Sequence, residues 1–112
     1  MSVQLASFPN SRVKPRPVRT QGDTQIQTLP AGPGVTQILP ANLNRVNALV
    51  RNLDSSNSLY YGYDNSIDGS PGPQGGFLLS PLQTVSLDDP KAIFIYNPNG
   101  VAVNICIDEG EG

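Results

Sequence analysis

The chain contains no histidine and only one cysteine, Cys106. Without histidine it cannot assemble a Ser-His-Asp or Cys-His catalytic arrangement, or a metal site built on imidazole. One cysteine cannot form an intramolecular disulfide, so nothing indicates a small secreted domain that is stabilised by disulfides. The sequence also lacks a paired-acid motif and a phosphate-binding loop. We therefore expect no enzymatic activity and no cofactor.

Long apolar runs are missing as well. No stretch approaches the roughly 20 apolar residues that a membrane-spanning helix needs. The N-terminus does not show the basic-then-apolar order of a secretory signal. We expect a soluble protein without membrane contacts that is assembled in the cytoplasm.

What the chain has instead is turn residues and short apolar runs. It holds 11 glycines and 11 prolines in 112 residues, which is typical of short strands joined by turns. No helical period persists over an ordinary helix length. The pattern predicts an all-β protein, a single antiparallel β-sandwich or jelly-roll-like barrel of about eight short strands. The predicted strands are 24–29, 35–40, 45–53, 58–64, 76–80, 82–88, 92–97 and 101–108.

Alternation within these runs predicts which side chains face the core. One set is Val46, Ala48 and Val50; a second is Leu59, Tyr61 and Tyr63; a third is Val101, Val103, Ile105 and Ile107. Cys106 falls on the opposite face of the last strand, where we expect a small thiol that is buried or half-buried. Residues 108–112, DEGEG, are predicted to form a short acidic tail.

The charges divide the chain into two parts. Residues 1–22 hold four bases and no acid, whereas the rest holds three bases and nine acids. Prolines at positions 9, 15 and 17 favour an extended path. We predict an extended basic arm over 1–23 and a β-sandwich domain over 24–112. The arm residues expected to bind a partner are Leu5, Phe8, Arg12, Lys14, Arg16 and Arg19. Because the arm has a single aromatic residue and no nucleic-acid motif, an acidic protein surface is the expected partner rather than nucleic acid.

Three tyrosines cluster in SLYYGYD, at positions 60, 61 and 63. Alternation puts Tyr61 and Tyr63 on the core face and Tyr60 on the outer face, where it could contact another subunit. Alternatively, Tyr60 and Tyr63 could form a sugar-binding platform with the neighbouring Asp64 and Asn65. Both interpretations stay open at this point, with Tyr60 and Tyr63 as the candidate residues.

The segment DNSIDG spaces its oxygen ligands like the first half of a calcium loop. Asp64, Ser66 and Asp68 alternate and Gly69 follows, but the twelfth position, which needs a bidentate glutamate, is Gly75. The expected structure is a turn in which the aspartates accept hydrogen bonds from nearby backbone N–H groups, and no metal site. The following GSPGPQG is expected to be a stiff loop.

Three stretches together resemble small structural proteins of tailed bacteriophages. They are NALVRNLDSSNSLYYGYD, GFLLSPLQTVSLDD and AIFIYNPNGVAVNICIDE. The resemblance covers about residues 42–108 and not the arm. The matching segments are Arg45 to Asn52, Asp54 to Gly62, Gly76 to Leu79, Gln83 to Asp88, and Val101 to Ile107.

The resemblance implies a jelly-roll or related sandwich that is often trimeric. It also implies a role in the virion, most readily as a capsid decoration (cement) protein. Such a protein binds the major capsid protein in the assembled shell and stabilises the outer capsid surface. The alternative is a head-fibre base, tail or baseplate component with a module that binds host glycan.

Overall fold

The computed structural model describes residues 24–72 and 74–111, which form eight β-strands. Each predicted strand has an observed counterpart, with bounds that differ by at most three residues. The strands are β1 (Gln25–Leu29), β2 (Gly34–Leu39), β3 (Arg45–Asn52), β4 (Leu59–Gly62), β5 (Phe77–Leu79), β6 (Thr84–Leu87), β7 (Ile93–Asn97) and β8 (Val103–Glu111).

The strands form two antiparallel sheets of four. Sheet 1 has the order β1-β8-β3-β6 and sheet 2 the order β2-β7-β4-β5. Only β4 and β5 follow each other within one sheet; every other connection crosses from one sheet to the other. The prediction of an all-β, antiparallel two-sheet protein is therefore confirmed.

The core lies between the sheets and is built from alternate residues of each strand. In β8, the side chains of Val103, Ile105 and Ile107 are buried, while Cys106 between them is half-buried on the outer face, as predicted. Each fully buried aliphatic side chain contributes about 1.5–3 kcal/mol through the hydrophobic effect. The core side chains are Leu29, Ile38, Ala48, Val50, Leu59, Leu79, Leu87, Ile93, Ile95, Val103, Ile105 and Ile107.

Two details at the C-terminal strand differ from the prediction. The strand starts at Val103, so Val101 lies in the preceding loop and is exposed rather than part of the core face. The strand also continues to Glu111, so the predicted acidic tail is wrong for residues 108–111. These residues pair with the start of β3, where Arg45 lies opposite Glu111. The sequence pattern missed this because the run DEGE has no apolar alternation, and its place in the sheet depends on polar contacts.

The predicted arm, 1–23, lies outside the described residues, as do its partner-binding candidates. Along 24–72 and 74–111, the chain forms no helix that is long and apolar enough to cross a membrane.

Candidate functional site

The clustered tyrosines separate onto two faces of sheet 2. Tyr61 packs at the edge of the core, and its ring lies 5.4 Å from that of Phe77. Tyr60 faces outward, and its ring lies 6.3 Å from that of Tyr96 on the neighbouring strand. Tyr63, just beyond the end of β4, is half-buried against the core. The predicted faces of all three rings are confirmed.

The loop between β4 and β5 folds back over the outer face of sheet 2. Its Gly69 lies against both outward rings: a Cβ there would meet Tyr60 at 3.0 Å and Tyr96 at 3.3 Å. Gly69 also has a φ of 76°, which favours glycine. Tyr60 is therefore half-covered by its own chain, and Tyr60 and Tyr63 do not form one platform.

Tyr63 instead lines a cleft of about 330 Å³ where the long loop meets the end of sheet 2. The buried Ile67 lies in its wall, and the ring of Phe77, 60% exposed, stands at one side. Polar groups of Asp64, Ser66, Gln74 and Lys91 complete the lining. One exposed aromatic ring beside several hydrogen-bonding groups of both charges is an arrangement that can hold a small polar ligand.

The surroundings of Tyr63 raise the pKa of its phenol. Burial raises its pKa above the ordinary value of 10.0, and the negative charge of nearby Asp89 raises it further. The phenol therefore stays protonated at neutral pH and can donate a hydrogen bond.

The calcium-like segment is a pair of turns. Oδ1 of Asp64 accepts a hydrogen bond from the backbone N–H of Ser66 at 2.9 Å, and Oδ1 of Asp68 accepts one from Ser70 at 3.0 Å. Hydrogen bonds from these two serines lower the pKa of both carboxyls. The predicted aspartate turns are confirmed. In the described part of the chain, no group of three or more Cys, Asp or Glu side chains is placed to hold a metal ion.

A buried arginine holds the same end of the sandwich together. Nε of Arg45 donates to Oε2 of Glu109 at 2.8 Å. Its two terminal nitrogens donate to backbone carbonyls of Asp89, Lys91 and Pro40 at 2.6–2.8 Å. One guanidinium thus joins two loops to the end of β8. Because the guanidinium makes four hydrogen bonds, its burial is compensated.

Buried asparagines hold the opposite end. Nδ2 of Asn97 donates to the carbonyls of Pro30 and Val101, both at 2.9 Å, and its Oδ1 accepts from the backbone of Asn99. Asn52 is fully buried and bonds the loop that follows its own strand, donating to the carbonyl of Asn57 at 2.8 Å.

Sequence reasoning missed both networks. Arg45 and Asn52 lie near the two ends of β3, and Asp54 lies in the loop that follows it. In the structure none of the three lines the cleft; Arg45 and Asn52 each fix a loop to the sandwich, and Asp54 holds together the loop in which it lies. Asp54 does so by accepting hydrogen bonds from the backbone of Ser56 and Asn57, both at 2.8 Å.

Comparison of the chain with known protein families, with curated proteins and with solved structures finds no match.

Proposed function

We propose that this chain is a virion structural protein that binds an assembled capsid shell and stabilises it. The observation that carries the proposal is the strand order, β1-β8-β3-β6 facing β2-β7-β4-β5. This order is that of a jelly roll, an architecture used by viral capsid domains and by lectins. It agrees with what the resemblance to bacteriophage structural proteins implies for residues 42–108.

The composition of sheet 2 supports a role in protein contacts. Its four strands contain no charged residue, whereas β3 and β8 of sheet 1 contain five. A cross-strand row runs over its outer face through Val35, Tyr96, Tyr60 and Leu78; the loop at Gly69 covers part of the two rings, and Leu78 is exposed. Protein interfaces are enriched in aromatic residues and poor in charge at their centres. We assign this face to contacts within the shell, either between copies of a trimer or with the major capsid protein.

Binding only to the assembled shell would stabilise that shell by mass action. The basic arm would add a second contact by reaching across an acidic neighbouring surface. Two linked contacts hold more tightly than either does alone, because binding of the first raises the local concentration of the second.

The proposal is tested by sedimenting the purified protein with empty shells of the major capsid protein encoded in the same genome. Unassembled capsid subunits serve as the control. We expect binding to shells alone, at a fixed number of copies for each lattice position. The Leu78→Asp variant should bind less, because it places a charge on the outer face of sheet 2.

The matched control is Leu43→Asp, which adds the same charge at a loop residue that is 92% exposed. Equal loss of binding in both variants would show that sheet 2 is not the contact face. Failure of the unchanged protein to sediment with shells would contradict the function itself.

A second candidate is a head-fibre, tail or baseplate component that binds host glycan. The cleft beside Tyr63 favours it, because a sugar ring could stack on Phe77 while its hydroxyls meet Asp64 and Lys91. A glycan screen with the unchanged protein and a Phe77→Ala variant tests it, and the expected result is binding that the variant loses.

A further inference from the structure

The charged residues of the strands are confined to the middle of sheet 1. The two central strands of that sheet, β3 and β8, contain five charged residues. The four edge strands of the sandwich, β1, β2, β5 and β6, contain none. Soluble proteins commonly place charges on edge strands, because these charges oppose pairing with another chain. The edges of this sandwich lack that protection.

One of these edges is also apolar. Strands β5 and β6 are joined by a turn of four residues, and we call residues 77–87 the β5–β6 side. Three large apolar side chains are exposed within its first six residues; they are Phe77, Leu78 and Leu82. In the strands of the opposite edge, β1 and β2, Ile26 is the one large apolar side chain that is as exposed. A cluster of exposed apolar side chains without charge is typical of a contact surface.

Leu82 is exposed at the expense of backbone strain. It follows Pro81 in the turn, and its φ is 63°, a value that favours glycine or asparagine at this position. Two hydrogen bonds hold the turn: the backbone N–H of Gln83 donates to the carbonyl of Ser80 at 3.0 Å, and the backbone N–H of Ser80 donates to Oε1 of Gln83 at 2.8 Å. The side chain of Leu82 is nevertheless 48% exposed. Backbone strain of this kind is concentrated at functional sites.

The distribution of charge indicates which partner fits the β5–β6 side. Residues 24–72 and 74–111 hold three bases and eight acids, a net charge of −5, so two copies of the domain repel each other unless uncharged surfaces meet. In a twofold contact, residues near the axis meet their own counterparts, and any charge there would face a like charge. The β5–β6 side has no charge, and its apolar side chains would meet the same apolar side chains of the second copy.

We propose that the β5–β6 side is the surface through which two copies of this chain associate about a twofold axis, with Leu82 buried in the contact. The exposed apolar side chains and the strained turn then have one explanation. This contact requires only the protein itself, so it does not depend on the proposed function, and its tests require no shell.

The first test is sedimentation equilibrium of the full-length protein from micromolar to millimolar concentration, with a reductant present so that Cys106 forms no disulfide between copies. We expect a reversible equilibrium between monomer and dimer. Leu82→Gly should raise the dissociation constant at least about tenfold, because each copy loses a buried leucine side chain. It should not lower the thermal midpoint of unfolding, because glycine adopts a positive φ without strain.

The matched control is Leu43→Gly, which removes an exposed leucine from the loop between β2 and β3. It should leave the dissociation constant of the dimer unchanged. The proposal would be overturned by a protein that stays monomeric over the whole concentration range, or by equal dissociation constants for Leu82→Gly and Leu43→Gly.

The second test locates the contact by NMR. Backbone amide shifts are followed while the unchanged protein is diluted from millimolar to micromolar concentration. We expect the shifts to change within residues 77–87 and to stay constant in β1 and β2. Changes in both regions would indicate that the β5–β6 side of one copy meets the opposite edge of the next, and this result, like an absence of changes in residues 77–87, would overturn the twofold contact.

Discussion

The two ends of the sandwich are closed in different ways. At one end, the neutral side chains of Asn52 and Asn97 bond the loops after β1, β3 and β7. At the other end, the buried guanidinium of Arg45 bonds the loops after β2 and β6 and pairs with Glu109. We call these the asparagine end and the arginine end.

The two ends differ in how far the attachment of their loops depends on a single side chain. A buried charge must find several partners, because its desolvation costs far more than that of an amide. Arg45 therefore forms hydrogen bonds to three separate segments of the chain. At the asparagine end, the hydrogen bonds that hold the loops are shared between two neutral side chains. The long loop and the Tyr63 cleft lie at the arginine end, so the arginine network supports the region that carries a candidate ligand site.

The largest expected effect is at Arg45. Arg45→Ala should lower the free energy of unfolding by about 3–5 kcal/mol, because it leaves Glu109 without its ion-pair partner and three backbone carbonyls without the arginine donor. Denaturant titration measures this loss. Since small domains are stable by about 5–15 kcal/mol, the variant should lose much of its stability.

The matched control is Arg51→Ala, which removes an exposed arginine from the same strand. It should change the free energy of unfolding by less than about 0.5 kcal/mol. A double variant, Arg45→Met with Glu109→Leu, should recover part of the loss, because it removes the uncompensated charge. If Arg45→Ala were no worse than Arg51→Ala, the arginine network would not hold its end together.

A smaller effect is expected at Asn97. Asn97→Ala should cost about 1–3 kcal/mol, because the carbonyls of Pro30 and Val101 lose their donor. The same titration measures it, with Asn104→Ala at an exposed outer-face position as control. A loss as large as that of Arg45→Ala would remove the distinction between the two ends.

Short-range patterns predicted the strands and their faces well. Alternation in VNICI places Ile105 inside and Cys106 outside whatever the neighbouring strands are, because successive side chains point to opposite faces. The order of the strands in the sheets depends on contacts between distant parts of the chain, and no local pattern specifies it. Arg45 and Glu109 are 64 positions apart, and nothing in the sequence around either residue predicts that the two form a pair.

The candidate site was predicted only in part, for the same reason. The sequence singled out Tyr63 and Asp64, which are neighbours, and both line the cleft. Phe77 and Lys91 were not predicted as site residues, because they reach the cleft only when the long loop folds back. It also proposed Tyr60 as a partner of Tyr63, but the alternation that separated their faces already placed them on opposite sides of the sheet.

The smallest effect is the acid response of the asparagine end. Hydrogen bonds from the backbone and side chain of Ser56 and Asn57 stabilise the Asp54 carboxylate and lower its pKa from 3.8 to about 2, with the backbone N–H of Ser56 contributing most. Because the pKa is lower in the folded chain, the stabilisation is complete above about pH 3.8 and is lost as the pH falls towards 2. Carboxyl NMR titration of the folded protein should place the midpoint of Asp54 near pH 2. In Asp54→Asn, stability should vary less with pH across this window. A midpoint near 3.8 would mean that the turn does not bind the carboxylate in solution, and that the asparagines alone hold their end.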